Sequence, residues 1–270
     1  MRLATLLTCH NRCQQTLACL DALCHVAPDA EVYLTDDGST DGTAEAVLAL
    51  HPAVHIVRGD GNLFWSRGMY EAWREALRGD CDYYLWLNDD VTLYPGAVRE
   101  LLACSDEGRR VVSGLVEEAA THKVIYGGYD AQKRLIGIAA EPQLIVWMNG
   151  NVVLVSRQVV QQIGILDPYY QHDLGDVDYG MRARETGIEV VSTRMVVAAG
   201  SRNDVCRVRR RGTSLIGRFR YLNSPLGSPL KQNFHFRRRH FGLLHALAYC
   251  THLVLLNLLP DGLVNQNVYR

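Results

Sequence analysis

Along the first 90 residues, short apolar runs rich in strand formers alternate with amphipathic stretches. LATLLT (3–8) has the composition of a buried strand, and Leu17, Leu20 and Cys24 then recur at helical spacing. EVYLT (31–35) predicts a second strand, followed by the turn-rich DDGSTDG and a helix over TAEAVLAL. VHIV, MYEAWREAL and YYLWL (83–87) continue the series as strand, helix and strand. Such alternation makes βαβ units, hence a mostly parallel sheet with helices on both faces. Ligands of these sheets bind beyond the carboxyl ends of the strands.

Beyond Pro95, which suits the first turn of a helix, the pattern loosens. VVSGLV, KVIYGG, RLIGIA and LIVWMN are short apolar runs interrupted by glycines, closer to hairpins than to crossovers. NVVLVS leads into a helix from about Ser156 to Gly164, DVDYGMRARET forms a helix ending at Gly187, and IEVV makes a last strand. No internal repeat or low-complexity linker divides the chain.

With 270 residues, 48% of them hydrophobic, 23 glycines and 8 prolines, the chain can bury one sizeable core, and disordered, collagen-like and coiled-coil readings fall away. The net charge of −1 hides an asymmetry: residues 206–270 carry +10 and the preceding 205 carry −11. The switch near Cys206 divides a domain over 1–205, with halves of about 1–95 and 96–205, from a basic, partly helical extension over 206–270. Eight cysteines without CxxC spacing predict buried, reduced thiols rather than a zinc or redox site. MRLATLLTCHNR turns polar too soon for a signal peptide, which places the protein in the cytosol.

Residues 241–260 carry no Asp, Glu, Lys or Arg and are long enough to span a bilayer. His245, Thr251, His252 and Asn257 argue against spanning, and His245, Tyr249 and His252 would form a polar seam. With RRRH just upstream, a helix lying in an anionic membrane interface fits better than a crossing or a plain core or dimer helix. Nucleic acid is the least suitable partner for RVRRR and FRRRH, because no nucleic-acid module accompanies them.

Three acidic groups fall at strand ends or helix starts: Asp36–Asp37, Asn88-Asp89-Asp90, and Asp173, Asp176 and Asp178. Neighbouring carboxylates repel, and a divalent cation is one reason to keep them close. Mg2+ or Mn2+ takes few protein oxygens and completes its shell with water and phosphate, so an acidic strand tip suits a nucleoside diphosphate. A turn or a helix cap is the plain alternative for each of these groups, and DDGSTDG taken singly reads as a turn and cap ahead of a site.

Taken in order over about residues 3–200, LLTCHNR, VYLTDDGSTDGT, GDGNLFWSRGMYEAW, YYLWLNDDVTLYPGAV and ILDPYYQHDLGDVDYGMRARETGIEV resemble the bacterial family 2 glycosyltransferases, and among them the rhamnosyltransferases. The resemblance implies the GT-A fold, an α/β three-layer sandwich around a mostly parallel sheet, here followed by a helical C-terminal tail. It implies that Thr8, Asn11 and Arg12 lie near the nucleotide and that Asp37 reads the base or ribose. Gly61, Asn62, Arg67 and Gly68 would line the donor pocket, together with Asp89. The NDD triplet resembles the family's DxD metal motif with Asn in first place, which assigns Mg2+ or Mn2+ to Asp90 and, as a weaker ligand, Asn88.

In the family the catalytic base sits in a Glu-Asp pair after a turn that Leu166-Asp167-Pro168 matches; here the pair reads Gly175-Asp176, leaving Asp176 as the base. Asp176 also opens a predicted helix, whose exposed amides favour its ionised form. Asp178, four residues before Arg182, reads as half of a helix-surface ion pair. Trp65, in a Gly-flanked loop, suits a sugar ring, while Trp86 lies mid-strand and reads as core. Asn149, Gly150, Asn151, His172 and Asp173 fall with Trp65 on the acceptor side.

The resulting expectation is an inverting, metal-dependent transferase, cytosolic and peripheral to the membrane. It would move a sugar from a UDP- or dTDP-sugar to a glycan or lipid-linked hydroxyl in cell-surface polysaccharide assembly. A nucleotidyltransferase would need a Gly-rich phosphate loop after the first strand, where CHNRCQQT has no glycine, and a dinucleotide oxidoreductase would need GxGxxG there. A non-catalytic donor-binding or scaffold protein is the alternative that Asn88 and Gly175, both losses of carboxylate, keep open.

Overall fold

The computed structural model of the chain describes residues 1–202 and 206–264. The expected boundary at 205 falls outside the described residues. Two compact units form: Met1–Pro168 with Gly175–Arg202, and Tyr169–Leu174 with Asn203–Arg270.

The first unit opens with β1 (Leu3–Cys9), α1 (Cys13–Val26), β2 (Glu31–Asp36), α2 (Thr43–Leu50), β3 (His55–Arg58), α3 (Phe64–Ala76) and β4 (Tyr83–Leu87), in the predicted order. A short β5 (Thr92–Leu93) and α4 (Ala97–Cys104) precede a hairpin of β6 (Val111–Glu118) and β7 (Lys123–Tyr126). β8 (Gly128–Tyr129) pairs with β9 (Trp147–Met148); β10 (Val152–Ser156), α5 (Arg157–Ile163), α6 (Gly175–Glu185) and β11 (Val190–Gly200) complete the unit.

The main sheet runs β3-β2-β1-β4-β10-β6-β11-β5, with β7 on the edge of β6. β3, β2, β1 and β4 are parallel, whereas β10 runs antiparallel to β4 and to β6. Strand order reverses between β1 and β4, and an α/β sheet opens a ligand crevice at such a reversal. Side chains alternate across β1: Leu3, Leu7 and Cys9 pack with Leu20, Leu23 and Val47 on one face, Ala4 and Leu6 with Trp73 and Tyr179 on the other. Each such fully buried aliphatic or aromatic side chain contributes roughly 1.5–3 kcal/mol, so the crevice stands on a rigid floor. Trp86 lies in that floor, as expected, between Trp73 and Tyr179 at ring distances of 5.3 and 5.2 Å.

Several sequence expectations shift. The buried stripe of α1 is Thr16, Cys19, Leu20 and Leu23, so Cys24 is exposed; the apolar run there is rotated by one residue from the face that meets the sheet. All eight thiols are free, four of them buried. Gly96, with φ of 84°, starts α4 at Ala97, which leaves Pro95 outside the helix. RLIGIA forms no strand beyond an isolated pairing of Leu135 with Tyr129. The α3 helix begins at Phe64, ahead of MYEAWREAL, because Asp37, the residue after β2, serves its first amides.

The second unit holds α7 (Leu215–Leu222), α8 (Leu230–Phe241) and α9 (Leu243–Leu258), with Ser214 capping α7 through the Gly217 N–H at 3.2 Å. Buried Arg209 ties the end of α9 down by donating to the carbonyls of Leu256 and Leu259 and to Asp261. Those contacts, with the Gly212 amide, hold the Asp261 carboxyl down to about 2. Among the described residues, no helix is long and apolar enough to cross a membrane.

Candidate active site

The chain leaves β1 through Asn11, whose φ of 52° is left-handed. Asn11 Oδ1 accepts from the Thr40 N–H at 2.7 Å, and its own N–H donates to Ser39 Oγ at 2.9 Å, which fixes the turn against the DDGSTDG loop. The turn directs Arg12 at the end of β4, where Nη1 meets Asp89 Oδ1 at 3.0 Å and Nη2 meets Asp90 Oδ2 at 2.8 Å. One guanidinium thus offsets the repulsion between two adjacent carboxylates.

Asp89 is the deeper of the two acids. Burial pushes its carboxyl up to about 7, against the downward pull of Arg12 and with a further upward push from Asp90. The folded pKa therefore lies above the ordinary value near 3.9, so the fold favours the protonated form. The stabilisation is complete below that ordinary value and is lost as pH rises through about 7. Asp89→Asn removes this titration. Its melting temperature is expected to gain several degrees on the natural chain between pH 5 and pH 8, as followed by thermal denaturation; parallel curves would refute the burial account.

Asp37, expected at the base or ribose, has its carboxylate turned into the loop that starts α3. Oδ1 accepts from the Gly61 N–H at 2.9 Å, and Oδ2 from the Leu63 and Phe64 N–H groups at 3.0 and 2.8 Å. First-turn amides of a helix have no partners within it, and a carboxylate suits them. Gly59 makes room, since a Cβ there would stand 2.5 Å from Asp37 Oδ1. Exposed Asn62 sits in the same loop, its N–H on Asp60 Oδ1 at 2.9 Å. Gly68 and Thr8, both expected at the donor, are packing partners: a Cβ on Gly68 would meet Thr8 Oγ1 at 2.2 Å, so α3 lies hard against β1. Arg67 Nε donates to the Pro168 carbonyl at 2.9 Å, tying α3 to the Leu166-Asp167-Pro168 turn.

From this anchored helix Trp65 reaches the end of β4, its Nε1 donating to Asn88 Oδ1 at 2.7 Å. Asn88 in turn donates from Nδ2 to Asn151 Oδ1 at 2.8 Å, and from its N–H to the Asn151 carbonyl at 3.0 Å. Gly150 lies against the Trp65 indole, where a Cβ would stand 2.5 Å from Cη2 and 3.0 Å from the Asp176 Cβ. Its N–H donates to Asp176 Oδ2 at 2.9 Å, and the Val177 N–H to Oδ1 at 2.8 Å. Asn149 joins through its carbonyl, which accepts from Ser113 Oγ at 3.1 Å. Trp65, Asn88, Gly150, Asn151 and Asp176 are therefore one contact network, continuous through residues 88–90 with Arg12, Asp89 and Asp90.

The α6 helix carrying Asp176 is fixed from below. Asp178 accepts from Arg182 Nε at 2.8 Å, but the pair is buried, with Asp178 0% exposed, and not on the helix surface as the spacing alone suggests. Arg182 also donates to the carbonyls of Ile163 and Ile165 at 2.6 and 2.8 Å and lies 5.0 Å from the Tyr179 ring centroid.

The sequence resemblance to family 2 transferases implies a divalent cation. The β4 tip offers carboxylate and amide oxygens, which suit Mg2+ or Mn2+, beside the Arg12 guanidinium and Trp65 Nε1. Asp90 fits, because the Arg12 contact uses Oδ2 alone. Asn88 is committed at both ends of its amide, to Trp65 and Asn151. Among the described residues no three His, Cys, Asp or Glu side chains come together as a metal group, so remaining ligands would come from water and phosphate. His172 and Asp173 belong to the second unit, where burial, and Arg207 after it, push the His172 imidazole down to about 4 against Asp173.

The family model described as glycosyl transferase family 2 matches residues 5–149. N-acetylglucosaminyl-diphospho-decaprenol L-rhamnosyltransferase of Mycobacterium tuberculosis, in strains CDC 1551 / Oshkosh and ATCC 25618 / H37Rv, is 27% identical over 193 residues, 58% of this chain and 61% of the relative. The match thus spans about three fifths of those relatives' length. Among solved structures, the mannosyltransferase PcManGT from Pyrobaculum calidifontis in complex with GDP-Man and Mn2+ aligns with a TM-score of 0.56 at 17% identity, over 94% of this chain and 72% of that one. S. aureus TarS 1-349 aligns with 0.61 at 11%, over 95% and 71%, and GalNAc-T7 with UDP, GalNAc and Mn2+ with 0.59 at 14%, over 94% and 59%. At such identities the likeness bears on fold, and the fold is GT-A.

Proposed function

The chain belongs to glycosyl transferase family 2, and from that premise we propose that it transfers a sugar from a UDP- or dTDP-linked donor to a hydroxyl of a glycan or lipid-linked acceptor, with inversion. The work fits cell-surface polysaccharide assembly at the cytoplasmic side of a membrane, and rhamnose is the sugar favoured by the named relatives. One observation carries the reading: Gly150 joins Asp176 to Trp65, and Trp65 to the Asn88-Asp89-Asp90 tip.

In this reaction Asp176 takes the acceptor's hydroxyl proton as that oxygen attacks the anomeric carbon from the face opposite the leaving group. The bond from that carbon to the diphosphate breaks, and the nucleoside diphosphate departs with the electron pair. The Gly150 and Val177 amides, each donating to one oxygen, keep the carboxylate aimed until the proton arrives. Arg12 supplies positive charge beside the diphosphate, Trp65 offers its ring to a sugar, and Asp37 acts on the nucleotide through the loop it orders. Asp90 would hold Mg2+ or Mn2+, which when bound neutralises charge on the departing diphosphate, while Asn88 stays engaged with Trp65 and Asn151 beside it.

A thermal-shift panel of nucleotide sugars with and without Mn2+ tests this. A donor at a hundred times its Kd adds about 2.7 kcal/mol, or roughly 5–10 °C for a unit of this size. We expect such a shift from a UDP- or dTDP-sugar, with slow release of the nucleoside diphosphate. Absence of any shift overturns the donor assignment, and a shift without release under any glycan acceptor makes the chain a non-catalytic binder.

A further inference from the structure

The α9 helix leaves an apolar face in water. Leu244, Leu247, Leu255 and Leu258 are exposed, Leu244 at 82%, and Ala248 and Thr251 lie between them on the same side. These positions recur at three- and four-residue steps, so they form one stripe along a 16-residue helix without a charged side chain. The opposite side, through Ala246, Leu253 and Leu256, is buried. Half of the helix thus satisfies the unit's own core, and the other half has no partner among the described residues.

The apolar surface extends beyond this helix. Ile216, 74% exposed, and Leu215 open α7, and Arg218 on the next turn of α7 donates to the Leu259 carbonyl at 2.7 Å, at the end of α9. The same unit carries exposed cations in the last turns of the two preceding helices, Arg220 in α7 and Arg238 in α8. Residues 206–264 carry ten basic side chains against the single acid Asp261, whose charge Arg209 and Arg218 already absorb.

We infer that this face of the second unit docks on an anionic phospholipid bilayer, with the leucine stripe among the acyl chains and the arginines at the headgroups. Charge selects the occupant. A second copy of the chain would bring the same excess of cations against itself, whereas anionic headgroups complement it. A helix with one apolar face and no acids, in a unit that carries exposed arginines, has the composition of an interfacial helix. The inference concerns the second unit alone and stands whether or not the first transfers sugar.

The test is flotation of the full chain with vesicles of phosphatidylglycerol and phosphatidylcholine, beside phosphatidylcholine alone. Binding is expected only with the anionic lipid and should weaken at high salt. Leu244→Glu with Leu255→Glu should reduce partitioning at least tenfold, and Arg220→Gln with Arg238→Gln by roughly the same factor. All four side chains are exposed, and an unchanged melting curve for each variant checks folding. Equal flotation of the leucine variant, or binding indifferent to lipid charge, overturns the inference. So does a natural chain that ignores vesicles but forms a dimer that the leucine variant dissociates.

Discussion

Asp176→Asn is expected to lower sugar transfer by about 10²–10⁴-fold, the range that general-base catalysis supplies, while leaving donor affinity within about twofold. The two effects separate because asparagine keeps the shape of the side chain. The amide oxygen can still accept from the Gly150 N–H, now at 2.9 Å from Oδ2, at the loss of the bond from the Val177 N–H, so the close packing of Gly150 on Trp65 need not change. What asparagine cannot do is take a proton from the attacking hydroxyl. Steady-state kinetics should show kcat and kcat/KM falling together with KM for the donor nearly constant, the pattern of an interaction needed only in the transition state. Transfer above a tenth of the natural rate would remove Asp176 from the base role. A parallel loss of donor affinity would instead make it a binding or positioning group.

How far the sequence reaches toward that site depends on whether the physics is local. β1 to β4 are legible because their periods of 2 and 3.6 are set by burial on a sheet with helices on both faces, and each residue reports its own environment. Beyond Pro95 strand lengths become uneven, from the 11 residues of β11 down to pairs such as Trp147–Met148, which are too brief for any period to show. The acids and Trp65 could be singled out by type, but their partners could not. Asp37 is visible as an acid at a strand end, whereas the three amides it accepts from lie more than twenty residues on in a loop without periodicity. Asn88 departs from the family pattern, and only the fold reveals that its amide bridges Trp65 and Asn151. The signal that could have found this link is Gly150, flanked by Asn149 and Asn151: a glycine between two amides where a backbone must pass under an indole.

Spacing misleads most plainly at Asp178. Four residues before Arg182 it matches a solvent-exposed ion pair, worth only about 0.3–0.5 kcal/mol. In the fold the carboxylate is fully buried, and Arg182, 11% exposed, also holds the carbonyls of Ile163 and Ile165 at the end of α5. Removing the acid leaves a guanidinium in the aromatic floor without its counter-charge, a change that costs about 3–5 kcal/mol. Asp178→Ala is therefore expected to lower the melting temperature by about 10 °C, and to lower transfer as well, because Asp176 lies on the preceding half-turn of α6. Pairing Asp178→Leu with Arg182→Met removes both charges, and the double variant should recover most of the stability, since the uncompensated charge is what carries the cost. A loss below about 1 kcal/mol for Asp178→Ala would return the pair to the surface class. A double variant no better than the single one would shift the weight to the bonds between Arg182 and the α5 carbonyls.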